Sequence, residues 1–352
     1  MEQPEQRVDA QALTDFAARI FECAGVPHED ALTVAQVLVW ANLRGVDSHG
    51  VMRIPSYLDY LEHGRMNPRP KLQVLRETAA ILSMDADRAM GAVATVAVMR
   101  KVLEKAKSVG IGWAVVRNMT HQGALGYYAL IAAEAGMAGI VNTCGTPVMA
   151  AHASSVQGVH NSPTAICVPA GRHRPLLLDM AYSVAAGGKI RHAADSGAPI
   201  PPDWALDATG RPTTDPQRAH VLLPLGGPKG SGMAILFECL SSLLAQNPIL
   251  SAAIPAMLSG AARDHTQNAI VAAIDIDAFT DADTFRSEVD SLVDAVKTLP
   301  TAPGHDEICL PGELGYRTHD ERVQHGIPLP QGTIEKLRTA AAAFGLPLPA
   351  FV

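Results

Sequence analysis

The stretch WAVVRNMTHQGALGYYALIAAEAGMAGIVN, residues 113–142, decides the fold class. It opens on an apolar, β-prone run, Trp113–Val116. A polar turn of small residues follows. Alanine, leucine and isoleucine then recur at helical spacing over 124–136, and Gly136 ends that pattern. A second apolar run, 138–142, closes the stretch. Strand, turn, helix and strand in this order point to an α/β domain.

The same alternation continues on both sides. Toward the carboxyl end come apolar runs at 164–168, 175–180, 221–225 and 270–276, and helical patterns at 230–246, 283–297 and 332–343. An irregular stretch rich in Gly and Pro covers 187–216, and a short strand is expected near 307–310. Toward the amino end lie a helix at 91–108, a strand at 72–84 and the Pro-rich linker 66–71. Before these come a helix near 56–63, a turn at 43–53, and amphipathic helices at 29–43 and 9–24. Short apolar runs alternating with helices imply a mixed or parallel sheet. No repeat and no low-complexity tract is present.

The chain has 352 residues, enough for two or three domains that can interleave. Hydrophobic residues make up 48% and aromatics only 5%, so Ala, Val, Leu and Ile must do most of the packing. Net charge is −7 and no stretch is densely basic, which argues against nucleic acid or an anionic membrane surface as a partner. No apolar run reaches the roughly 18 residues that a spanning helix needs. The first ten residues, MEQPEQRVDA, are polar and do not read as a signal peptide. Five cysteines, at 23, 144, 167, 239 and 309, are widely spaced without a C-x-x-C pair. They read as reduced thiols of a cytoplasmic protein rather than a disulfide framework or a zinc ribbon.

Three segments could carry chemistry. The first is Asp47-Ser48-His49-Gly50, with Arg53 and Tyr57 after it. Reducing a 2-oxo acid needs a proton donor for the oxygen, and histidine suits that role. It also needs a cation for the carboxylate, and the arginine fork suits that. Ser48 could orient the His49 imidazole. The structural alternative is that Asp47 and Ser48 cap a helix and His49 is a turn residue. The second segment, 118–128, follows an apolar strand and opens a helix. It places His121, Gly123, Ala124 and Leu125 at the carboxyl end of a strand, where open α/β sheets bind ligands; an ordinary strand–helix turn is the alternative. The third, Gly226-Gly227-Pro228-Lys229-Gly230-Ser231-Gly232, could turn backbone N–H groups toward an anion, or be a flexible turn. It matches neither the dinucleotide fingerprint G-x-G-x-x-G nor the P-loop. Asp179 ends a buried strand and could accept a cofactor hydroxyl, pair with a lysine, or cap a strand end. The thirteen histidines form no H-E-x-x-H or H-x-H group, so no protein-built metal site is expected.

In order along the chain, these segments resemble the type-II malate/L-lactate dehydrogenases, which include ureidoglycolate, sulfolactate and diketogulonate oxidoreductases and the piperideine-carboxylate reductases. The carriers are RGVDSHGVMRIPSY (44–57), HQGALGYY (121–128), LDMAYS (178–183), GKI (188–190), IPPDWALDATGRPTTDP (200–216), LLPLGGPKGSG (222–232) and PGE (311–313). The resemblance implies an L-sulfolactate dehydrogenase-like fold, with a mixed-sheet domain that binds NAD or NADP without a Rossmann fingerprint, joined to a helical domain. It implies a division into 1–117, 118–300 and a carboxy-terminal segment 301–352 returning to the amino-terminal region. It implies a homodimer acting on a small carboxylic acid. Ser48 and His49 match the family's acid position, Arg53 with Tyr57 its substrate side, and His121 a second histidine used as acid/base. Gly123, Ala124, Leu125, Asp179, Met180, Ala181, Lys229 and Gly230 match cofactor-contacting segments.

The chain departs from the family pattern in places. H-F-G becomes His121-Gln122-Gly123, and the runs around 145–152 and 159–163 differ, which leaves the substrate open. The cyclic-imine reductases tend to carry an acid near position 189. Lys189 therefore leans toward a hydroxy acid, with imine reduction as the alternative inside the family. Outside it stand a metal-dependent hydrolase or lyase and a non-catalytic binding protein.

Overall fold

The computed structural model describes residues 6–261 and 266–352. The polar amino terminus that reads as lacking a leader includes residues 1–5, which lie outside the described residues.

A seven-stranded mixed sheet forms the centre. Its order is Gln73–Glu77, Ile81–Asp85, Ile111–Met119, Gln267–Ile274, Ala138–Cys144, Thr164–Val168, Leu176–Met180. The two strands of residues 113–142 are not neighbours, because Gln267–Ile274 lies between them, antiparallel to both. Within this sheet the pair Ile81–Asp85 and Ile111–Met119 is parallel. Residues Asn268 to Ala273 are each at most 1% exposed, and a strand covered on both faces belongs at a sheet's centre. Residue 117 lies inside Ile111–Met119, so a division at 117/118 passes through this sheet.

Helices cover the sheet. Asp9 caps α1 (Ala10–Cys23) by accepting the Ala12 N–H at 2.9 Å. Leu13, Phe16, Ala17, Ile20 and Phe21 form the buried stripe of α1, as its spacing predicts. It packs with α2 (His28–Leu43), α3 (Ile54–Glu62), α4 (Gly91–Val109) and α5 (Gly126–Glu134) around one apolar core. Beyond these lie α6 (Gly187–Ser196), α7 (Pro228–Glu238), α8 (Leu250–Leu258), α9 (Ala282–Lys297), α10 (Glu313–His325) and α11 (Gln331–Ala342). A smaller sheet of Ala205–Leu206, Val221–Leu222, Met149–Ala150 and Gln157–Val159 stands beside the main one. The strand Arg7–Val8 pairs with Ile327–Pro328, which brings the carboxy-terminal segment back to the amino-terminal helices.

Several elements differ from expectation. The strand at 72–84 is a hairpin, turned where the Ile81 N–H reaches Thr78 Oγ1 at 3.1 Å. Residues 307–310 form no strand. Glu307 pairs with Arg317, and the Leu310 N–H is taken by Glu313 at 3.0 Å, so this segment folds onto the start of α10. The run 221–225 is strand only at Val221–Leu222, because Pro224 cannot extend a ladder. The helix expected at 230–246 starts at Pro228 and turns π-helical over Cys239–Leu243. Three helices are additional. In α6 two glycines occupy the first turn, in α8 Pro255 lies inside, and α10 buries no residue fully.

Candidate active site

The turn after α2 is built around Asn42. Its Oδ1 accepts the Val51 N–H at 2.8 Å, and its Nδ2 donates to Asp47 at 2.6 Å. Arg322 of α10 completes the brace with an ion pair to Asp47 at 2.7 Å. A Cβ built on Gly50 would lie 2.2 Å from Asn42 Oδ1, so only glycine fits there. The segment therefore folds as two short 3-10 turns, Asp47–His49 and Val51–Arg53, and neither Asp47 nor Ser48 caps a helix. Ser48 Oγ meets His49 Nδ1 at 2.9 Å, the orienting contact anticipated above. Arg53 Nε donates to the Ser48 carbonyl at 2.7 Å, which leaves its Nη groups without a protein partner among the described residues.

The loop carrying His121 is held from behind. Thr120 donates through N–H and hydroxyl to the Ala89 carbonyl, at 3.1 and 2.9 Å. Gly91 lets the start of α4 approach, since a Cβ there would sit 2.5 Å from the Thr120 carbonyl oxygen. The His121 ring stacks on His49 at 5.5 Å between centroids. Its Nδ1 receives the Tyr57 hydroxyl at 2.7 Å and the Gly123 N–H at 3.3 Å. The Gly123 N–H can only donate, so Nδ1 accepts and Nε2 carries the proton.

Ser48, His49, Arg53, His121, Gly123 and Leu125 line one cavity of about 790 Å³. Four histidines and two arginines, Arg53 and Arg191, line it, and no acidic side chain does among the described residues. Burial and the Arg53 and Arg191 charges hold His49 down at about 4. Burial, then His49, Arg53 and His160, hold His121 well below its ordinary value. Burial holds His160 at about 4 despite a hydrogen bond with the Thr143 backbone. Burial lowers Arg53 as well, and Arg191 adds to that. Burial is the largest cause for all four groups, and neighbouring positive charges add to it at His49, His121 and Arg53.

The other expected residues fall elsewhere. Tyr57 is buried behind His121 and does not line the cavity. Ala124 is buried. Asp179 neither pairs with a lysine nor lines this cavity. Its Oδ2 accepts the Gly126 N–H at the start of α5 at 2.7 Å. Crowding by neighbouring atoms raises its carboxyl to about 6, although the residue keeps solvent on one side. Met180 and Ala181 continue from it at the end of the strand Leu176–Met180. The glycine-rich turn opens on a separate cavity of about 510 Å³, through Gly226, Gly227 and His152. Lys229 is exposed there. Gly230 is buried, and a Cβ on it would lie 2.5 Å from the Tyr182 carbonyl oxygen. Lys189 is exposed and lines neither cavity.

Sequence reading missed Arg191, which stands one residue beyond GKI but on a helix hidden by Gly187-Gly188. It also missed Asn42, Arg322, Thr143 and Gln267. The last two line the cavity, and the Thr143 hydroxyl and Gln267 Oε1 are buried without a partner among the described residues, as is Oε1 of Gln122. Among the described residues no cluster of His, Cys, Asp and Glu could hold a metal, all five cysteines are free, and no helix is long and apolar enough to cross a membrane.

Comparison with known proteins gives the family and the fold. Residues 8–338 match the family model described as malate/L-lactate dehydrogenase. The chain is 34% identical over 350 residues to a malate dehydrogenase of Pyrococcus horikoshii, covering 97% of this chain and 96% of that protein. Its fold superposes on a malate dehydrogenase from Entamoeba histolytica with a TM-score of 0.92 at 29% identity, over 98% of this chain and all of that one. A sulfolactate dehydrogenase from Methanocaldococcus jannaschii gives 0.88 at 31%, over 97% and 98%. The chain belongs to the malate/L-lactate dehydrogenase family of oxidoreductases.

Proposed function

We propose that the protein is an NAD- or NADP-dependent dehydrogenase that interconverts small 2-oxo and 2-hydroxy carboxylic acids at the His49–His121 cavity. The observation that carries the reading is the stacked pair of neutral imidazoles beside a guanidinium whose Nη groups have no protein partner among the described residues, in a cavity whose described lining includes no acid. Arg53 holds the substrate carboxylate through its free Nη groups, worth about 1.5–3 kcal/mol per charge-assisted hydrogen bond.

The two histidines divide the work. His121 has its Nδ1 occupied by two donors, so its Nε2–H is a fixed donor that polarises the 2-oxo oxygen. Surrendering that proton would demand one from Tyr57, whose hydroxyl is pushed up by burial. His49 faces no such obstacle, because Ser48 Oγ can both accept and donate. Protonated His49 therefore gives its proton to the oxygen during reduction and takes it back during oxidation. An arriving carboxylate offsets the Arg53 charge that depresses His49, so substrate binding raises the imidazole toward a useful value.

The dinucleotide supplies or accepts the hydride when bound. The residues present fit its nicotinamide end. A carboxamide offers two N–H donors, and Gln122 Oε1, the Thr143 hydroxyl and Gln267 Oε1 are buried polar atoms that still lack partners. Gly123, Leu125 and the 179–181 and 229–230 segments complete the proposed cofactor contacts. We further propose a homodimer. Leu236, Leu240, Leu243 and Leu244 recur at helical spacing and are 45–59% exposed, a patch that a second copy would cover. Sedimentation of the protein at a single monomer mass would remove the dimer.

The experiment is a panel of 2-oxo acids and cyclic imines, followed by loss of NADH and NADPH absorbance. Turnover of at least one 2-oxo acid is expected. Oxidation of neither cofactor with any acid, or turnover of imines alone, would defeat the reading.

A further inference from the structure

The residue after His121 carries an acceptor with no assigned donor. Gln122 is 2% exposed, and it lines the cavity together with His49 and His121. Its Nε2 donates to Thr95 Oγ1 of α4 at 2.7 Å, while its Oε1 is buried without a partner among the described residues.

The orientation of this amide follows from its neighbour. The Thr95 hydroxyl has one proton to give. It lies 2.6 Å from the Gly91 carbonyl oxygen and 4.0 Å from the Met119 sulfur, and both of these are acceptors. The hydroxyl therefore gives its proton there and accepts from Gln122, which turns the amide nitrogen toward Thr95 and Oε1 away from it. The backbone is held as well. The Tyr128 hydroxyl donates to the Gln122 carbonyl, and a Cβ on Gly91 would lie 2.7 Å from Gln122 Cα. Gln122 Oε1 is thus a fixed acceptor that cannot trade places with a donor.

A bound nicotinamide does not use this acceptor up. Its carboxamide has two N–H groups, and the Thr143 hydroxyl and Gln267 Oε1 are two other buried atoms without partners among the described residues. Those two belong together, because Thr143 and Gln267 stand at the same end of the neighbouring strands Ala138–Cys144 and Gln267–Ile274. Gln122 belongs instead to the loop of His121, the proposed donor to the 2-oxo oxygen. A fixed acceptor next to that donor calls for a hydroxyl on the acid itself. A site built to receive a hydroxyl discriminates against the analogue lacking it, because its own polar atom is then left buried and unmet.

We infer that Gln122 is a specificity-determining residue that accepts a hydrogen bond from a hydroxyl on the carbon next to the keto group, so that 3-hydroxy-2-oxo acids are preferred to acids with a bare methyl there. This rests on the proposed dehydrogenase activity for its kinetic expression, but not for the binding itself.

The test compares hydroxypyruvate with pyruvate, which differ by that one hydroxyl, in the native protein, Gln122→Met and Gln122→Glu. Steady-state rates are measured with NADH and NADPH, and binding of both acids to the cofactor-free protein is measured by calorimetry. Gln122→Met, which keeps the length and removes the acceptor, should lose about tenfold more kcat/KM on hydroxypyruvate than on pyruvate. Gln122→Glu keeps an acceptor oxygen and should keep the preference. Hydroxypyruvate should bind the native protein more tightly than pyruvate, and Gln122→Met should narrow that gap. Equal losses for both acids overturn the inference. So does a raised cofactor KM with the preference intact, which would move Gln122 to the carboxamide. If Gln122→Met does not fold, the native protein decides alone: no preference for hydroxypyruvate in rate or in binding overturns the inference. If neither acid is reduced, the dehydrogenase reading fails on its own. The calorimetry then still decides: a native protein that binds both acids equally, or binds neither, rules out Gln122 as the hydroxyl contact.

Discussion

Two glycine-containing turns of this protein look alike in sequence and differ in use. The turn at 47–53 and the turn at 226–230 both set small residues next to a basic side chain. In the first, Asn42, Asp47 and Arg322 lock the backbone, and the lock delivers Ser48, His49 and Arg53 to a cavity that already holds His121. In the second, Gly230 is buried against the Tyr182 carbonyl, while Lys229 stays exposed beside a different cavity. Glycine in the first turn makes room for a brace, and in the second for close packing of a helix start. A motif becomes a site when other elements converge on it, and spacing alone does not record that convergence.

The largest expected effect lies on the first turn. His49→Ala should lower kcat for reduction of a 2-oxo acid by about 10²–10⁴-fold, as loss of a general acid does, while calorimetry shows cofactor binding nearly intact. Near-normal turnover would pass the role to His121.

Acid stability comes next. His160 has a folded pKa of about 4 against an ordinary value of 6.5. The unfolded chain therefore binds more protons between these values. Stability is full above about 6.5 and is lost as pH falls toward 4. For a residue only 8% exposed this amounts to about 3 kcal/mol at most. His49 and His121 act in the same direction. The fall in Tm between pH 7 and pH 4 should shrink in His160→Gln; an unchanged fall would show that His160 carries none of it.

The two turns can be set against each other directly by adding one methyl group to each. Gly50→Ala and Gly230→Ala should each cost about 1–3 kcal/mol by overpacking, read as a drop in Tm. Gly50→Ala should also raise KM for the acid, because it displaces Asn42. Gly230→Ala should affect the cofactor KM first. Lys229→Ala, on an exposed side chain, should change stability by less than about 0.5 kcal/mol. If Gly230→Ala disturbs the acid KM and Gly50→Ala does not, the contrast between the turns is reversed.

Much of this was legible in the sequence, and the limits have physical causes. The amphipathic stripe of α1 and the strand–helix–strand alternation come from local periodicity, which short segments display. The insertion of Gln267–Ile274 between Ile111–Met119 and Ala138–Cys144 is a long-range pairing that periodicity does not encode. Helix α10 is polar nearly all round and is held by ion pairs such as Arg174–Asp320, so it lacks an apolar stripe. His49, Arg53 and His121 stand out by chemistry. Arg191, Thr143 and Gln267 do not, because their importance lies in missing partners, and only a folded chain has partners to miss.

The central claim is that Arg53 presents a guanidinium to a substrate carboxylate beside the two imidazoles. It is tested most directly by initial rates of 2-oxo acid reduction in native protein and Arg53→Gln. The account predicts a loss of about 10–100-fold in kcat/KM, carried mainly by KM for the acid, with the cofactor KM moving less than about twofold. Equal kcat/KM for the two proteins on every 2-oxo acid that is turned over would contradict it.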